Sequence, residues 1–192
     1  MGIEALILAA GFSSRAGEYK MSLAIGGKTV LERCIECLHG FCARLIVIGG
    51  YDCEKIKYLP EKYSKVELVF NDKYEDGMYS SILKGLDYLS DDRFFILPGD
   101  CPVISQKTIE TLAQTDGDIV VPVYKGQRGN PVLLKSSLIK KIKNAGFDNM
   151  QDFINSYGFK EVEVEDKGIL MDIDTPEDFK NVCEFYNNSS DD

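Results

Sequence analysis

Short apolar runs alternate along this chain with stretches whose apolar residues recur every three to four positions. Ile3 to Ala9 is a nearly continuous apolar run stopped at Gly11, the pattern of a strand buried on both faces. Residues 45–48, 66–70 and 94–97 repeat that pattern, the first of them closed by Gly49-Gly50. Between the first two runs, Val30, Leu31, Cys34, Ile35 and Leu38 mark one face of a helix ended by Gly40. Further helices are predicted at about 80–89, with Ile82, Leu83 and Leu86 inward, and at about 105–113.

Strands at 119–124 and 132–135 then flank a loop of residues 125–131, followed by two short helices near 137–144 and 149–156. The stretch 161–165 alternates strictly between Glu and Val, which predicts a strand with one wet face. After a further apolar piece at 168–171, a last helix runs from 175 to 186 with Pro176 in its first turn. Strands alternating with helices through the first half imply right-handed crossovers and a mostly parallel sheet covered on both faces, an α/β fold in three layers. Ligands of such sheets bind beyond the carboxyl ends of the strands, which directs attention to residues 10–20, 49–50, 71–81 and 98–102. No internal repeat or linker divides the chain, so one domain over residues 1–186 with a frayed tail at 187–192 is expected.

Composition narrows the class. At 192 residues and 44% hydrophobic content the chain can bury a core without staples, and it is neither disordered nor low-complexity. With 22 Lys+Arg against 31 Asp+Glu the net charge is −9, which argues against a binder of nucleic-acid strands but leaves room for a single nucleotide held locally. Met1 to Gly11 is short, carries Glu4 and lacks a basic lead, so no signal peptide is read there, and no apolar run is long enough for a bilayer. Six cysteines without an export signal point to reduced thiols and a cytoplasmic protein.

The strongest chemical signal follows the first strand: Leu8-Ala9-Ala10-Gly11-Phe12-Ser13-Ser14-Arg15-Ala16-Gly17-Glu18-Tyr19-Lys20. Small residues let backbone amides approach a ligand, two glycines permit positive φ, serine hydroxyls donate, and Arg15 and Lys20 supply cations. The segment is neither a dinucleotide fingerprint nor a P-loop, since the required glycine and lysine spacings are absent. Taken whole, it resembles the signature of the nucleotidyltransferases that share the nucleotide-sugar pyrophosphorylase fold. Within that group the chain is most similar to the molybdenum cofactor cytidylyltransferases of the MobA-like family. Further matching segments are residues 71–86, Gly99-Asp100-Cys101-Pro102, Arg128-Gly129-Asn130-Pro131-Val132 and residues 172–178, so that the likeness spans 3 to about 180.

The resemblance implies a Rossmann-like nucleotide-diphospho-sugar transferase fold and a set of site residues. Ala9, Ala10, Gly11, Ser13 and Arg15 match positions that wrap a triphosphate, and Lys20 matches the lysine that stabilises charge as pyrophosphate leaves. Gly99 and Asp100 match a turn whose carboxylate holds Mg²⁺, and Asp174, ahead of its neighbour Asp172, matches a second magnesium ligand. Asn71, Gly77, Ser80 and Ser81 lie where relatives hold base and ribose, and Ala10 leans toward cytosine over guanine. Residues alone leave alternatives open: a surface role for Lys20, a backbone-bonding turn for Asp100, helix capping for Asp174 and for the serines. Arg128 either meets an acceptor phosphate or is an exposed hairpin arginine, and Asn130 stands where relatives often carry histidine.

The implied activity is transfer of CMP from CTP to the terminal phosphate of a molybdopterin acceptor, releasing pyrophosphate. Alternatives keep the fold with a sugar or alditol phosphate acceptor or a GTP donor, or make the chain a nucleotide-dependent carrier of the molybdenum cofactor. The implied partners are the nucleotide, the phosphate acceptor and a molybdenum hydroxylase apo-enzyme, with no nucleic acid or membrane. Cys34, Cys37, His39 and Cys42 invite a zinc reading, but Cys34 falls on the apolar helix face and one helix cannot easily converge four ligands.

Overall fold

The computed structural model describes residues 2–11 and 19–189. Its first strand, β1 (Ile3–Ala9), lies at the centre of the main sheet. The chain then forms a two-stranded ribbon of β2 (Ala24–Ile25) and β3 (Lys28–Thr29), helix α1 (Val30–His39) and strand β4 (Arg44–Gly49). A short helix α2 (Leu59–Lys62), strand β5 (Val66–Phe70), helix α3 (Met78–Gly85) and strand β6 (Arg93–Pro98) follow. Helix α4 (Gln106–Gln114) precedes β7 (Ile119–Tyr124), the two-residue β8 (Gln127–Arg128) and β9 (Val132–Lys135). Helices α5 (Ile139–Asn144) and α6 (Met150–Tyr157), strand β10 (Lys160–Glu163) and helix α7 (Pro176–Ser189) complete the order.

Across the sheet the strands run β10-β7-β9-β6-β1-β4-β5, with β8 paired to the end of β7. β1 is parallel to both β4 and β6, β4 to β5, and β10 to β7. The exception on this path is β9, which runs antiparallel between β6 and β7. The sheet is therefore mostly parallel and carries helices on both faces, the expected three-layer α/β architecture.

Alternation along the central strands assigns each face its core. Ala5, Ile7, Val47, Phe95 and Leu97 pack against Leu31, Ile35 and Leu38 of α1 and Ile109 and Leu112 of α4. Leu6, Leu8, Ile46, Phe94 and Ile96 pack against Ile82 of α3, Ile142 of α5 and Phe153 and Ile154 of α6. Phe94, Phe95, Leu6 and Ile7 are fully buried, and each such side chain stabilises the fold by about 1.5–3 kcal/mol. A third cluster, Ile25, Val30, Ile173 and Val182, ties the ribbon and the start of α1 to α7.

Helix starts follow the capping chemistry. Thr29 caps α1 reciprocally with Glu32, and the Ser105 hydroxyl accepts from the Thr108 amide at 3.2 Å to cap α4. Several boundaries move from the sequence expectation, among them the end of α7, which runs on to Ser189 into residues expected to belong to a frayed tail. α3 begins at Met78, directly after Gly77 at φ +91°, and ends at Gly85 rather than near 89. β10 ends at Glu163, since only residues 160–163 pair with β7. Among the described residues no helix is long and apolar enough to cross a membrane.

Candidate functional site

In a sheet of this order, β1 is where the connections turn from one side to the other: β4 and β5 lie to one side of it and β6 to the other. The carboxyl ends of β1, β4, β5 and β6 release the segments beginning at Ala10, Gly50, Asn71 and Gly99. Close packing holds these turns together. A Cβ at Gly50 would stand 2.5 Å from the Tyr74 Cβ and 2.9 Å from the Ala10 Cβ, and one at Gly99 would stand 2.9 Å from the Leu8 carbonyl. The Tyr51 amide donates to the Ala10 carbonyl at 3.3 Å, and the Gly99 amide to the Leu8 carbonyl at 2.8 Å.

Above these turns lies a cavity of about 270 Å³, bounded among others by Ala10, Gly11, Lys20, Gly77, Ser81 and Asp100. Leu8, Met78 and Pro98 form a wall that it shares with a second cavity of about 240 Å³, which extends over Ile96, Asn130, Val132 and Met150. Two compartments thus meet at one wall, the first edged by charge and the second chiefly apolar.

Among the described residues, the charged side chains lining the first compartment are Lys20, Glu75 and Asp100, and Lys20 reaches Asp174 beyond it. The Lys20 ammonium donates to Asp100 Oδ2 at 2.5 Å and to Asp174 Oδ1 at 3.2 Å. The Lys20 and Asp100 side chains are only 12% and 11% exposed, against 49% for Asp174, so the inner pair is sheltered and the outer one open. Burial by itself would lower the lysine pKa, but the two carboxylates outweigh it and hold the ammonium above its ordinary value. Asp172 is exposed on a neighbouring cleft against α7. Loss of solvation beside the protein raises its carboxyl, and the carboxylates of Asp100, Asp174 and Asp178 raise it further, against its own backbone hydrogen bond.

Three remote segments converge here for separate reasons. Lys20 follows Tyr19, whose buried hydroxyl donates to the Ala9 carbonyl at 3.2 Å and returns the chain to the end of β1. Asp100 projects from the turn after β6. Asp174 is carried by the segment before α7, which the Ile173 amide joins to the Asp100 carbonyl at 3.1 Å while the Ile173 side chain is buried with Ile25 and Val30. Residues 171–174 are not a strand, so no strand alternation sets Asp172 and Asp174 on one side. Asp174 reaches Lys20, whereas Asp178 accepts from the amides of Asp174 and Thr175 and caps α7.

The other sequence-selected positions separate into groups. Ala9 is fully buried beneath the cavity, and the Gly99 carbonyl receives the Cys34 thiol at 3.3 Å. Asn71 is 2% exposed and donates through Nδ2 to the Ser80 and Ser81 hydroxyls at 2.9 and 3.0 Å, while its Oδ1 accepts from the Lys73 amide. Ser81 borders the first cavity, but Asn71 and Ser80 border an adjoining cleft with Lys73 and Tyr79. Ser13 and Arg15 lie outside the described residues. Arg128 pairs with Glu161 at 2.9 Å, donates to Asn155 and lies over the Phe159 ring, so it is engaged on the β8–β10 side. Cys34 and Cys37 are buried with thiol pKa values pushed well up by desolvation. Met78, 58% exposed at the wall between the cavities, lies within the matching segment of residues 71–86 but is not among the residues given a role there.

The donor set accommodates a hard divalent cation. The Asp100 carboxylate lines the cavity and the Asp174 carboxylate shares its ammonium partner, while among the described residues no group of three His, Cys, Asp or Glu converges to enclose a metal. A site of one or two carboxylates completed by phosphate oxygens and water is the usual arrangement for Mg²⁺.

A mostly parallel sheet with such a charged cleft at its switch point places the chain among Rossmann-like α/β proteins that bind a ligand beyond the strand ends. Residues 5–161 match the MobA-like NTP transferase domain, and the chain belongs to that family. It is 29% identical to the molybdenum cofactor cytidylyltransferase of Escherichia coli K12, over 96% of this chain and 97% of that one. It is also 29% identical to a probable molybdenum cofactor guanylyltransferase of Bacillus cereus, over 64% of this chain and 62% of that one. In fold it is similar to a nucleotidyl transferase from Methanothermobacter, with a TM-score of 0.86, 21% identity and coverage of 98% and 99% of the two chains.

Proposed function

We propose that this protein transfers CMP from CTP to the terminal phosphate of a molybdopterin acceptor, releasing pyrophosphate with the help of Mg²⁺. The observation that carries the proposal is the Lys20–Asp100–Asp174 cluster at the mouth of a cavity floored by the end of β1. The near full-length likeness to a cytidylyltransferase supports the choice of donor, as does Ala10 at the cavity edge. Guanylyltransferase relatives match a smaller share of the chain, which makes GTP the second reading.

In this reading the amides after Ala9 and Ala10, with Gly11, Ser13 and Arg15, hold the triphosphate, and Gly77 and Ser81 bound the nucleoside. Asn71 and Ser80 shape that wall from behind through their hydrogen bonds. Asp100 and Asp174 would hold the metal, which supplies charge neutralisation at the phosphates when bound. An acceptor phosphate oxygen attacks the α-phosphorus, and the bond from that phosphorus to the bridging oxygen breaks, leaving pyrophosphate with the electron pair. The attacking oxygen is already ionised, so no protein base is required, and catalysis reduces to alignment and charge. Lys20 donates to the phosphate oxygens on which negative charge grows. The second, mainly apolar cavity suits the heterocyclic end of the acceptor, with Met78 at the junction.

Pyrophosphate release measured with CTP, GTP, ATP and UTP, each with and without molybdopterin, tests the proposal. CTP should turn over fastest and only with the acceptor. Faster turnover of GTP moves the assignment to the second reading, and release with no nucleotide refutes transfer.

A further inference from the structure

The position between Asp100 and Asp174 is taken by an ammonium group. We propose that Lys20 is a built-in occupant of the divalent-cation site, which makes cation binding depend on prior or simultaneous binding of the triphosphate. The inference rests on the proposed metal role of Asp100 and Asp174 and specifies how that site is controlled.

Lys20 Nζ lies 2.5 Å from one carboxylate and 3.2 Å from the other, close enough to hold a full positive charge against both. Asp100 is 8% exposed, so leaving its charge without a partner would incur a desolvation penalty. A lysine in this position removes that penalty in the absence of ligand. An incoming cation must displace the same ammonium from the same oxygen atoms, so a cation alone gains only the difference between two charge pairings. A triphosphate changes the balance, because its oxygens offer the ammonium new acceptors next to its present position and bring further ligands for the cation. Lysine suits such a transfer, being a compact charge on a flexible stem whose donors can swing between partners. By thermodynamic linkage the coupling is reciprocal: cation and triphosphate each strengthen the other's binding. The exposed side of Asp174 leaves a route by which the cation can enter as the lysine swings away.

The test is Mn²⁺ binding to the full-length protein without nucleotide, followed by electron paramagnetic resonance and by calorimetry. Lys20→Met should bind Mn²⁺ about tenfold or more tightly than wild type, the scale of one close charge pair. Lys20→Arg, which keeps the positive charge, should not gain. Lys20→Gln repeats the comparison if the methionine variant is poorly folded by circular dichroism. In wild type, a non-hydrolysable CTP analogue should strengthen Mn²⁺ binding by a larger factor than in Lys20→Met. Equal or weaker Mn²⁺ binding by both neutral variants overturns the inference. Asp100→Asn separates the two levels of the argument. If that change weakens Mn²⁺ binding with the analogue present while the Lys20 variants show no gain, the metal site stands and the competition fails. If Asp100→Asn leaves Mn²⁺ binding unchanged under every condition, the metal site itself fails and the competition with it.

Discussion

Asp100→Asn separates what this residue does for the fold from what it does for turnover. The substitution keeps the shape of the side chain and removes its charge. On the stability side, Lys20 loses its 2.5 Å partner but retains Asp174 at 3.2 Å, so the ammonium is not left alone. Breaking a buried pair outright costs about 3–5 kcal/mol, whereas exposed pairs are worth about 0–1 kcal/mol. With the Lys20 and Asp100 side chains 12% and 11% exposed and a second carboxylate in reach, a loss of about 1–2 kcal/mol is expected. Relief of repulsion with Asp172 and Asp174 acts in the opposite direction and keeps the figure at this lower end. For a chain of this size that is a fall in Tm of about 2–8 °C. On the activity side, the proposed role removes one cation ligand and one charge at the reacting phosphates, about 3–4 kcal/mol of transition-state stabilisation, or roughly 10²–10³-fold in kcat. Differential scanning fluorimetry and a pyrophosphate-release assay at saturating Mg²⁺ measure the two effects on one preparation. Turnover within about threefold of wild type, in a variant whose melting changes by the expected amount, would refute the placement of Asp100 at the reacting phosphates.

Other expectations follow from contacts elsewhere in the fold. Glu4, 2% exposed, accepts from the Ser90 and Asp91 amides at 2.6 and 2.8 Å and pairs with Arg44; although burial opposes it, these bonds hold its carboxyl below the ordinary value. A lowered folded pKa means stability that is complete above the ordinary carboxylate range and lost as pH falls through the folded value, so Glu4→Gln should flatten the acid limb of Tm against pH between about 5 and 3, at a cost near neutrality of about 2 kcal/mol. An acid limb as steep as in wild type would refute that assignment. Gly50→Ala forces a Cβ against Tyr74 and Ala10 and should destabilise by about 1–3 kcal/mol while raising the KM for nucleotide, read from urea melts and steady-state kinetics. Tyr186→Ala removes the ring over which Arg33 of α1 lies at 4.2 Å, and with it part of the contact between α7 and α1. It should cost about 1–3 kcal/mol in urea melts and lower kcat more than it raises KM, because Asp174 lies just before α7 and Lys20 just before the ribbon that leads into α1.

What was legible in the sequence divides by the range of the interaction. The central strands could be read because β1, β4 and β6 are buried on both faces, so nearly every residue in each run is apolar. Ser105 at the head of α4 and Gly40 at the end of α1 act through their immediate neighbours, and such signals survive without knowledge of the fold. The β2–β3 ribbon was hidden by its length: two residues on each side of Gly26-Gly27, both at positive φ, give no periodicity to count. The reversed β9 was no easier, because its neighbours β6 and β7 are chosen by the packing of the whole sheet. The site shows the same division within a few residues. The loop after β1 and the Gly99-Asp100 turn stood out as local patterns, whereas the meeting of Lys20 with Asp174 spans 154 positions and depends on the buried cluster that seats α7 on the ribbon. Local chemistry thus marks which residues can react, and the long-range core determines which of them meet. A substitution in the Ile25–Val30–Ile173–Val182 cluster, none of whose side chains lines the first cavity, should therefore disturb the Lys20–Asp174 contact before it unfolds the sheet.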